Sequence, residues 1–274
     1  MPLSPSQTRA LLESLGHRPR KPLGQNFLID GNIVRKSLQL AALQPGDTVV
    51  EVGPGLGTLS SAMLELGCSV YAVELDKTLA AHLRATLVPE FPDRFHLLEG
   101  DAVDFPRAGI PNTVTAFKVV ANLPYAITSP WLDAMLTDPL PVDMVLMMQK
   151  EAADRITAGP GSKSYGAISI FTGAACERAG VHKVSRTCFY PVPGVDSQLL
   201  HLRRKQEPKL FSGEARDLIR QLFTQRRKQI GSLLQKREAL HPWLQELPGF
   251  GCSRTDRPED IPLQAWEALN TFLQ

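Results

Sequence analysis

The four residues Asn122-Leu123-Pro124-Tyr125 place an amide, a rigid turn and an aromatic ring directly after an apolar run, Phe117 to Ala121, that reads as a β-strand. Those residue types suit one demanding task. The 6-amino nitrogen of adenine delocalises its lone pair into the ring, so it attacks a methyl group only if drawn toward tetrahedral geometry. The side-chain oxygen of Asn122 and the backbone carbonyl of Leu123 can accept the two amine protons and favour that geometry. Pro124 stiffens the turn, and Tyr125 offers a stacking face for an extruded base, a contact worth about 1 to 3 kcal/mol.

A second turn, Glu51-Val-Gly53-Pro-Gly55-Leu-Gly57, closes a strand and opens a helix. Glycines there let a backbone approach a ligand where a side chain would collide. Thr58 occupies the third glycine position of the dinucleotide fingerprint, so pyrophosphate recognition is poorly matched. Acids end the next strands: Glu74, placed to accept ribose hydroxyl protons, and Asp101, placed to accept from an adenine amino group. Either acid alone could be a helix N-cap. Together they describe an adenosine pocket of negative character, which suits the sulfonium and ammonium of S-adenosylmethionine better than a dinucleotide.

Strands read at Thr48 to Val52, Ser69 to Glu74, Phe95 to Glu99, Phe117 to Ala121 and Met144 to Met148, with helices at Leu56 to Leu66 and Lys77 to Leu87. That alternation predicts an α/β fold, a parallel sheet with helices on both faces whose strand ends carry the two turns. A helix at Tyr165 to Ala175 follows, then extended stretches near Ala179 to Val184 and Ser197 to Leu202 that can pair at one sheet edge. Apolar residues recur at helical spacing from Ser212 to Arg237. The expected organisation is a catalytic domain over 1–205, including an N-terminal arm 1–36, and an all-helical domain over 206–274.

The 274 residues carry 30 Lys and Arg against 28 Asp and Glu, unevenly spread. Residues 1–36 hold six basic against two acidic side chains, and 203–237 hold eleven against three. The middle, 37–202, is acidic, with 11 basic against 17 acidic side chains. Basic flanks around an acidic centre fit a polyanionic partner and a cationic or neutral small ligand, although each run alone could be a solvated helix face. No run reaches the roughly 18 consecutive apolar residues of a membrane span, and residues 1–20 are not signal-like. The four cysteines show no metal-ligand spacing and are expected as free thiols in the cytoplasm.

The motifs Lys21-Pro-Leu-Gly-Gln-Asn-Phe-Leu-Ile-Asp30, Glu51 to Gly57, Val73-Glu-Leu-Asp76, Gly100-Asp-Ala102, Asn122 to Tyr125, Gln149-Lys-Glu151, Pro160-Gly-Ser-Lys163, Phe189-Tyr-Pro-Val-Pro-Gly-Val-Asp-Ser197 and Phe223-Thr-Gln-Arg-Arg-Lys228 follow one another in an order that resembles the ribosomal RNA small-subunit adenine dimethyltransferase (KsgA) family. The resemblance covers nearly the whole chain. It implies a class I methyltransferase, a Rossmann-like, mostly parallel seven-stranded sheet with a small C-terminal helical domain. It also implies S-adenosylmethionine-dependent dimethylation of two adjacent adenines in the 3′-terminal hairpin of 16S rRNA, within the small ribosomal subunit or its precursor. A monomer without metal or membrane is expected.

By position, Asn26 and Leu28 would cover the cofactor, Glu51, Gly53, Gly55 and Gly57 would line it, and Glu74 and Asp101 would hold its ribose and adenine. Asn122 would meet both its methionine end and the target amine. Phe189 would be a second aromatic wall opposite Tyr125. Arg20, Lys21, Arg226, Arg227 and Lys228 would face RNA. Gly194 and Ala126 depart from the family pattern, where a basic and a polar residue are usual. Three other readings share parts of these motifs: a large-subunit rRNA adenine methyltransferase of the antibiotic-resistance type, a non-catalytic ribosome assembly factor, and, least of all, a nicotinamide dehydrogenase.

Overall fold

The computed structural model describes residues 3–273, and the side chain of Lys21, an expected RNA contact, lies outside what is described. The chain forms two compact units: the described residues up to Ala153 with Arg178–Arg204, and Asp154–Glu177 with the described residues from Lys205 onward. Residues 154–177 thus pack with the C-terminal segment and not, as expected, with the first domain. The reason lies in the helix Ala167–Ala175, which buries Ile168, Ile170, Phe171, Ala174 and Ala175 around its circumference and so needs apolar partners on several sides.

The first unit opens with α1 (Pro5–Ser14), β1 (Phe27–Leu28) and α2 (Gly31–Leu40), then alternates β2 (Thr48–Val52), α3 (Thr58–Glu65), β3 (Ser69–Glu74), α4 (Lys77–Glu90), β4 (Phe95–Glu99), β5 (Lys118–Asn122), α5 (Thr128–Met135) and β6 (Asp143–Gln149). Along the chain there follow α6 (Lys150–Ile156), α7 (Ala167–Ala175), β7 (Cys176–Val184), β8 (Phe189–Tyr190) and β9 (Ser197–Arg204). Seven strands form one sheet in the order β4-β3-β2-β5-β6-β9-β7. The first five are parallel, and β9 runs antiparallel to β6. The strands β2, β5 and β6 are nearly continuous apolar runs because both faces of a parallel sheet are covered.

The arm before β2 has its own tether. Ser4 and Gln7 form a capping box at the start of α1, whose Leu12 is buried with Phe27 and Leu79. The buried carboxylate of Asp76 caps α4 through the amides of Thr78 and Leu79. It also accepts from Gln25 Nε2 at 3.1 Å and lies 3.8 Å from His17 and 3.7 Å from Arg20. β1 and β8 pair as a separate ribbon, Phe27 with Tyr190 and Leu28 with Phe189.

The second unit adds α8 (Gly213–Thr224), α9 (Ile230–Leu233), α10 (His241–Glu246) and α11 (Leu263–Leu269). Trp243 and Trp266 are its buried centre, with ring centroids 5.7 Å apart and indole N–H groups bonded to the carbonyls of Ala265 and Ile261. The helical pattern from Ser212 to Arg237 is interrupted after Thr224, because the amides of Ile230 and Gly231 bond to Asp256 and Arg254 instead of to a preceding turn. Among the described residues no helix is long and apolar enough to cross a membrane.

Replacing Asp76 by Ala removes a helix cap and leaves the polar groups of the arm without their acceptor. The expected outcome is a loss of about 2 kcal/mol in urea unfolding, together with faster trypsin cleavage after Arg20, the one basic residue of this segment not followed by proline. Unchanged cleavage would show that the arm is held by Leu12 and Phe27 alone.

Candidate active site

β2 pairs with β3 on one side and β5 on the other, so the strand order reverses at β2 and a crevice opens beyond the carboxyl ends of these strands. A single cleft of about 950 Å³, counted out to its open mouth, fills that crevice. Asn26, Leu28, Glu51, Gly53, Gly55, Glu74, Asp101 and Asn122 all line it. Sequence reasoning named these from motifs scattered over nearly a hundred residues, and one wall holds them together.

The glycine loop shows what kind of ligand it can take. Gly53, Gly55 and Gly57 have φ of +63°, +61° and +80°, values open to glycine at little cost. Their N–H groups are already engaged: Gly53 donates to the Val73 carbonyl, Gly57 to the Pro54 carbonyl, and Gly55 to the Glu74 carboxylate at 3.0 Å. No glycine amide of this loop is left to cradle a phosphate, and the acceptor of the central one is itself an anion. Gly57 does not line the cleft as expected. It is the left-handed N-cap of α3, and a Cβ there would sit 2.9 Å from Leu83 and Leu87, so its role is close packing against α4.

The two carboxyl groups beside this loop are held out of water. Glu51 is 2% exposed and accepts from Ser60 Oγ at 2.5 Å; burial, reinforced by the nearby Glu74, pushes its pKa up to about 8. Burial also raises the pKa of Glu74, against the pull of the Gly55 and Asp76 amides that donate to it. A cation in the cleft would favour the ionised form of both groups. Asp101 accepts from the Val103 amide at 2.8 Å, beside the lining residues Gly100 and Ala102.

At the end of β5, Asn122 Nδ2 donates to the Asn26 carbonyl at 2.9 Å, which leaves Oδ1 as the end of the amide able to accept from a ligand. Leu123 is buried, with its amide bonded to the Met147 carbonyl. Tyr125 follows Pro124 and precedes Ala126 and Ile127, all three in the cleft lining, and its hydroxyl lies 2.7 Å from Ser197 Oγ. Phe189 departs from expectation: it is 0% exposed and shares a buried cluster with Leu28, Ile33 and Leu199, so it presents no face to a base. Residue alternation explains this, since Leu28 and Phe189 point to one side of the β1–β8 ribbon while Phe27 and Tyr190 point to the other.

The expected RNA contacts separate into two kinds. Arg20 is exposed but leans on Asp76. In the second unit Arg226 donates through Nε to Glu259 at 2.6 Å, and through Nη1 to the Lys163 carbonyl at 2.8 Å, so its charge is matched inside the unit. Arg227 and Lys228 stand exposed on the turn between α8 and α9. The sequence reading missed the strap Pro22–Gln25, which walls the cleft with Asn26 to Leu28, and the apolar Leu75, 48% exposed at the exit of β3. Gly24 carried the signal for the strap: with φ of +63°, its Cβ would lie 2.9 Å from the Tyr125 amide.

The family model described as ribosomal RNA adenine dimethylase matches residues 16–242. Ribosomal RNA small subunit methyltransferase A of Opitutus terrae is 59% identical over 272 residues, covering 98% of each chain. The protein of the same name from Moorella thermoacetica is 41% identical, over 99% of this chain and 98% of its own. Among solved structures, a dimethyladenosine transferase from Plasmodium falciparum superposes with a TM-score of 0.69 at 24% identity, over 90% of this chain and 97% of that one. The 23S rRNA methyltransferase ErmE gives 0.64 at 29% identity, over 90% and 99%.

A carboxyl that is neutral when folded and ionised when unfolded favours folding at low pH, and its contribution declines from about pH 4.5 to about 8. Glu51→Gln removes this slope. Chemical unfolding across that range should show a variant that matches the parent near pH 5 and gains on it steadily toward pH 8. Parallel stability curves would mean that Glu51 is ionised in the free protein.

Proposed function

The chain belongs to the ribosomal RNA adenine dimethylase family, and from that premise we propose that it dimethylates the 6-amino groups of two adjacent adenines in the 3′-terminal hairpin of 16S rRNA, with S-adenosylmethionine as methyl donor. It is a methyltransferase of class I α/β fold, and the family implies a donor of the S-adenosylmethionine type. The observation that carries the reading is the single cleft shared by the glycine loop, the two buried carboxyls and the Asn122 amide.

The donor set fits this cofactor. Glu51 and Glu74 offer negative charge to a cationic ligand, Leu75 and Ala102 offer apolar surface, and the three glycine amides of the loop are already taken by protein acceptors. When bound, S-adenosylmethionine supplies an electrophilic methyl group on a positively charged sulfur. Glu74 would accept ribose hydroxyl protons, Asp101 would accept from the adenine amine, and Asn26 with Leu28 would cover the bound molecule. Oδ1 of Asn122 and the carbonyl of Leu123 would take hydrogen bonds from the target amine and raise electron density on its nitrogen. Tyr125 would stack on the extruded base. After one transfer a single amine proton remains for those acceptors, so the monomethylated nitrogen must turn between rounds.

RNA would be met chiefly by Arg227 and Lys228, with Arg20 and Lys21 on the arm. Arg226 serves first to tie its turn to Glu259. The small-subunit reading is favoured over the large-subunit one because identity is 59% to a small-subunit methyltransferase and 29% to ErmE. A separate role in ribosome assembly would be compatible with the same surface. We propose action as a monomer in the cytoplasm.

Incubation with labelled S-adenosylmethionine and small subunits lacking the modification should yield dimethyladenosine, whereas large subunits should stay unlabelled; label only in large subunits would reverse the assignment. Asn122→Ala should lower the rate by about 100-fold while the unfolding transition persists. Neutralising Arg227 and Lys228 together should reduce the salt slope of RNA binding by about 2. Arg226→Gln should instead lower thermal stability, and a slope unchanged in the double variant would make those two side chains a solvated face.

A further inference from the structure

We propose that Ser197 is a positioning residue for methyl transfer: its hydroxyl anchors the Tyr125 phenol and so fixes the ring at the rim of the donor cleft. This rests on the stacking role proposed above for Tyr125. Ser197 is 2% exposed, and its Oγ lies 2.7 Å from the hydroxyl of the half-buried Tyr125. Burial raises the pKa of the phenol, so the ring stays neutral and keeps its hydrogen at neutral pH.

Sheet topology explains how Ser197 reaches this place. The catalytic turn lies beyond the carboxyl end of the parallel strand β5, and β9 is antiparallel to β6, so β9 brings its first residue to that same edge. Ser197 pairs with Gln149, the last residue of β6. The preceding residue is fixed as well: the Asp196 carbonyl accepts from the Lys150 amide at 3.2 Å, and its carboxylate from the Arg186 amide at 3.2 Å. The serine is therefore a rigid post. From the opposite side, the close approach of Gly24 confines the Tyr125 backbone. A tyrosine held at its backbone and at its hydroxyl has its ring orientation set before any base arrives, which spares the ordering cost of docking. With Phe189 buried, the orientation of this ring carries the stacking geometry alone among the aromatic residues named from the sequence.

The test compares Ser197→Ala, Ser197→Thr, Tyr125→Phe, Tyr125→Ala and the double variant Ser197→Ala/Tyr125→Phe, in methyl transfer to unmodified small subunits and in calorimetric binding of S-adenosylmethionine. Ser197→Ala and Tyr125→Phe each break the same hydrogen bond. Each should lower kcat by about 3- to 10-fold, the kinetic equivalent of one net hydrogen bond. KM for the subunit, set largely by phosphate contacts, and affinity for the donor, whose cleft neither side chain lines, should stay within about twofold. The double variant should be no slower than the slower single one, and Ser197→Thr should recover most of the rate. If Ser197→Ala fails to fold, Tyr125→Phe carries the same comparison from the other end of the bond. A wild-type kcat in Ser197→Ala, additive losses in the double variant, or a loss confined to KM would overturn the proposal alone. Full activity in Tyr125→Ala would overturn the stacking role and the proposal with it.

Discussion

Everything in the catalytic unit depends on the reversal of strand order at β2. Because β3 lies on one side of β2 and β5 on the other, the chain leaves neighbouring strands in diverging directions, and a crevice opens beyond their ends. The glycine loop and the Asn122 turn both line that space, with Gly53 packed close to Pro124, although about 70 residues of chain separate them. An otherwise similar sheet with β5 at its edge would keep both motifs and lose the cleft.

The electrostatics of the cleft follow from burial. Glu51 and Glu74 lie where water is largely excluded, and the three glycine amides of the loop are engaged by protein acceptors. Two buried carboxyls side by side are costly when both are charged. A cationic ligand relieves that cost, whereas a phosphate would compound it. The same glycine-rich geometry that elsewhere receives a pyrophosphate is here turned toward positive charge by one hydrogen bond, Gly55 N–H to Glu74.

The N-terminal strap links the two halves of the site. Its Gln25 is held by Asp76, whose amide donates to the Glu74 carboxylate, while the next residue, Asn26, orients the Asn122 amide. Holding both ends through adjacent residues gives the cleft one wall of fixed shape. Basic residues show a comparable division: Arg20 and Arg226 lean on Asp76 and Glu259, whereas Arg227 and Lys228, next to Arg226 in the chain, are exposed.

Residue types and spacing by themselves determined which side chains gather at the cleft and the strand-helix alternation. Glu51, Gly53, Glu74, Asp101 and Asn122 are named by motifs, and strands such as Thr48–Val52 and Ser69–Glu74 by short, largely apolar runs, both of which are local properties. Tertiary structure alone decided the rest. Whether Phe189 faces a ligand or the core depends on which side of a two-residue ribbon it occupies, and its partner, Leu28, is 161 positions away in sequence. Whether Arg226 meets RNA or Glu259 depends on a loop 33 residues downstream. That α7 joins the C-terminal unit follows from apolar faces that only distant helices can cover. Periodicity records that a side chain is buried or charged; only the folded chain selects its neighbour, because burial and ion pairing are contacts between segments that the sequence keeps apart.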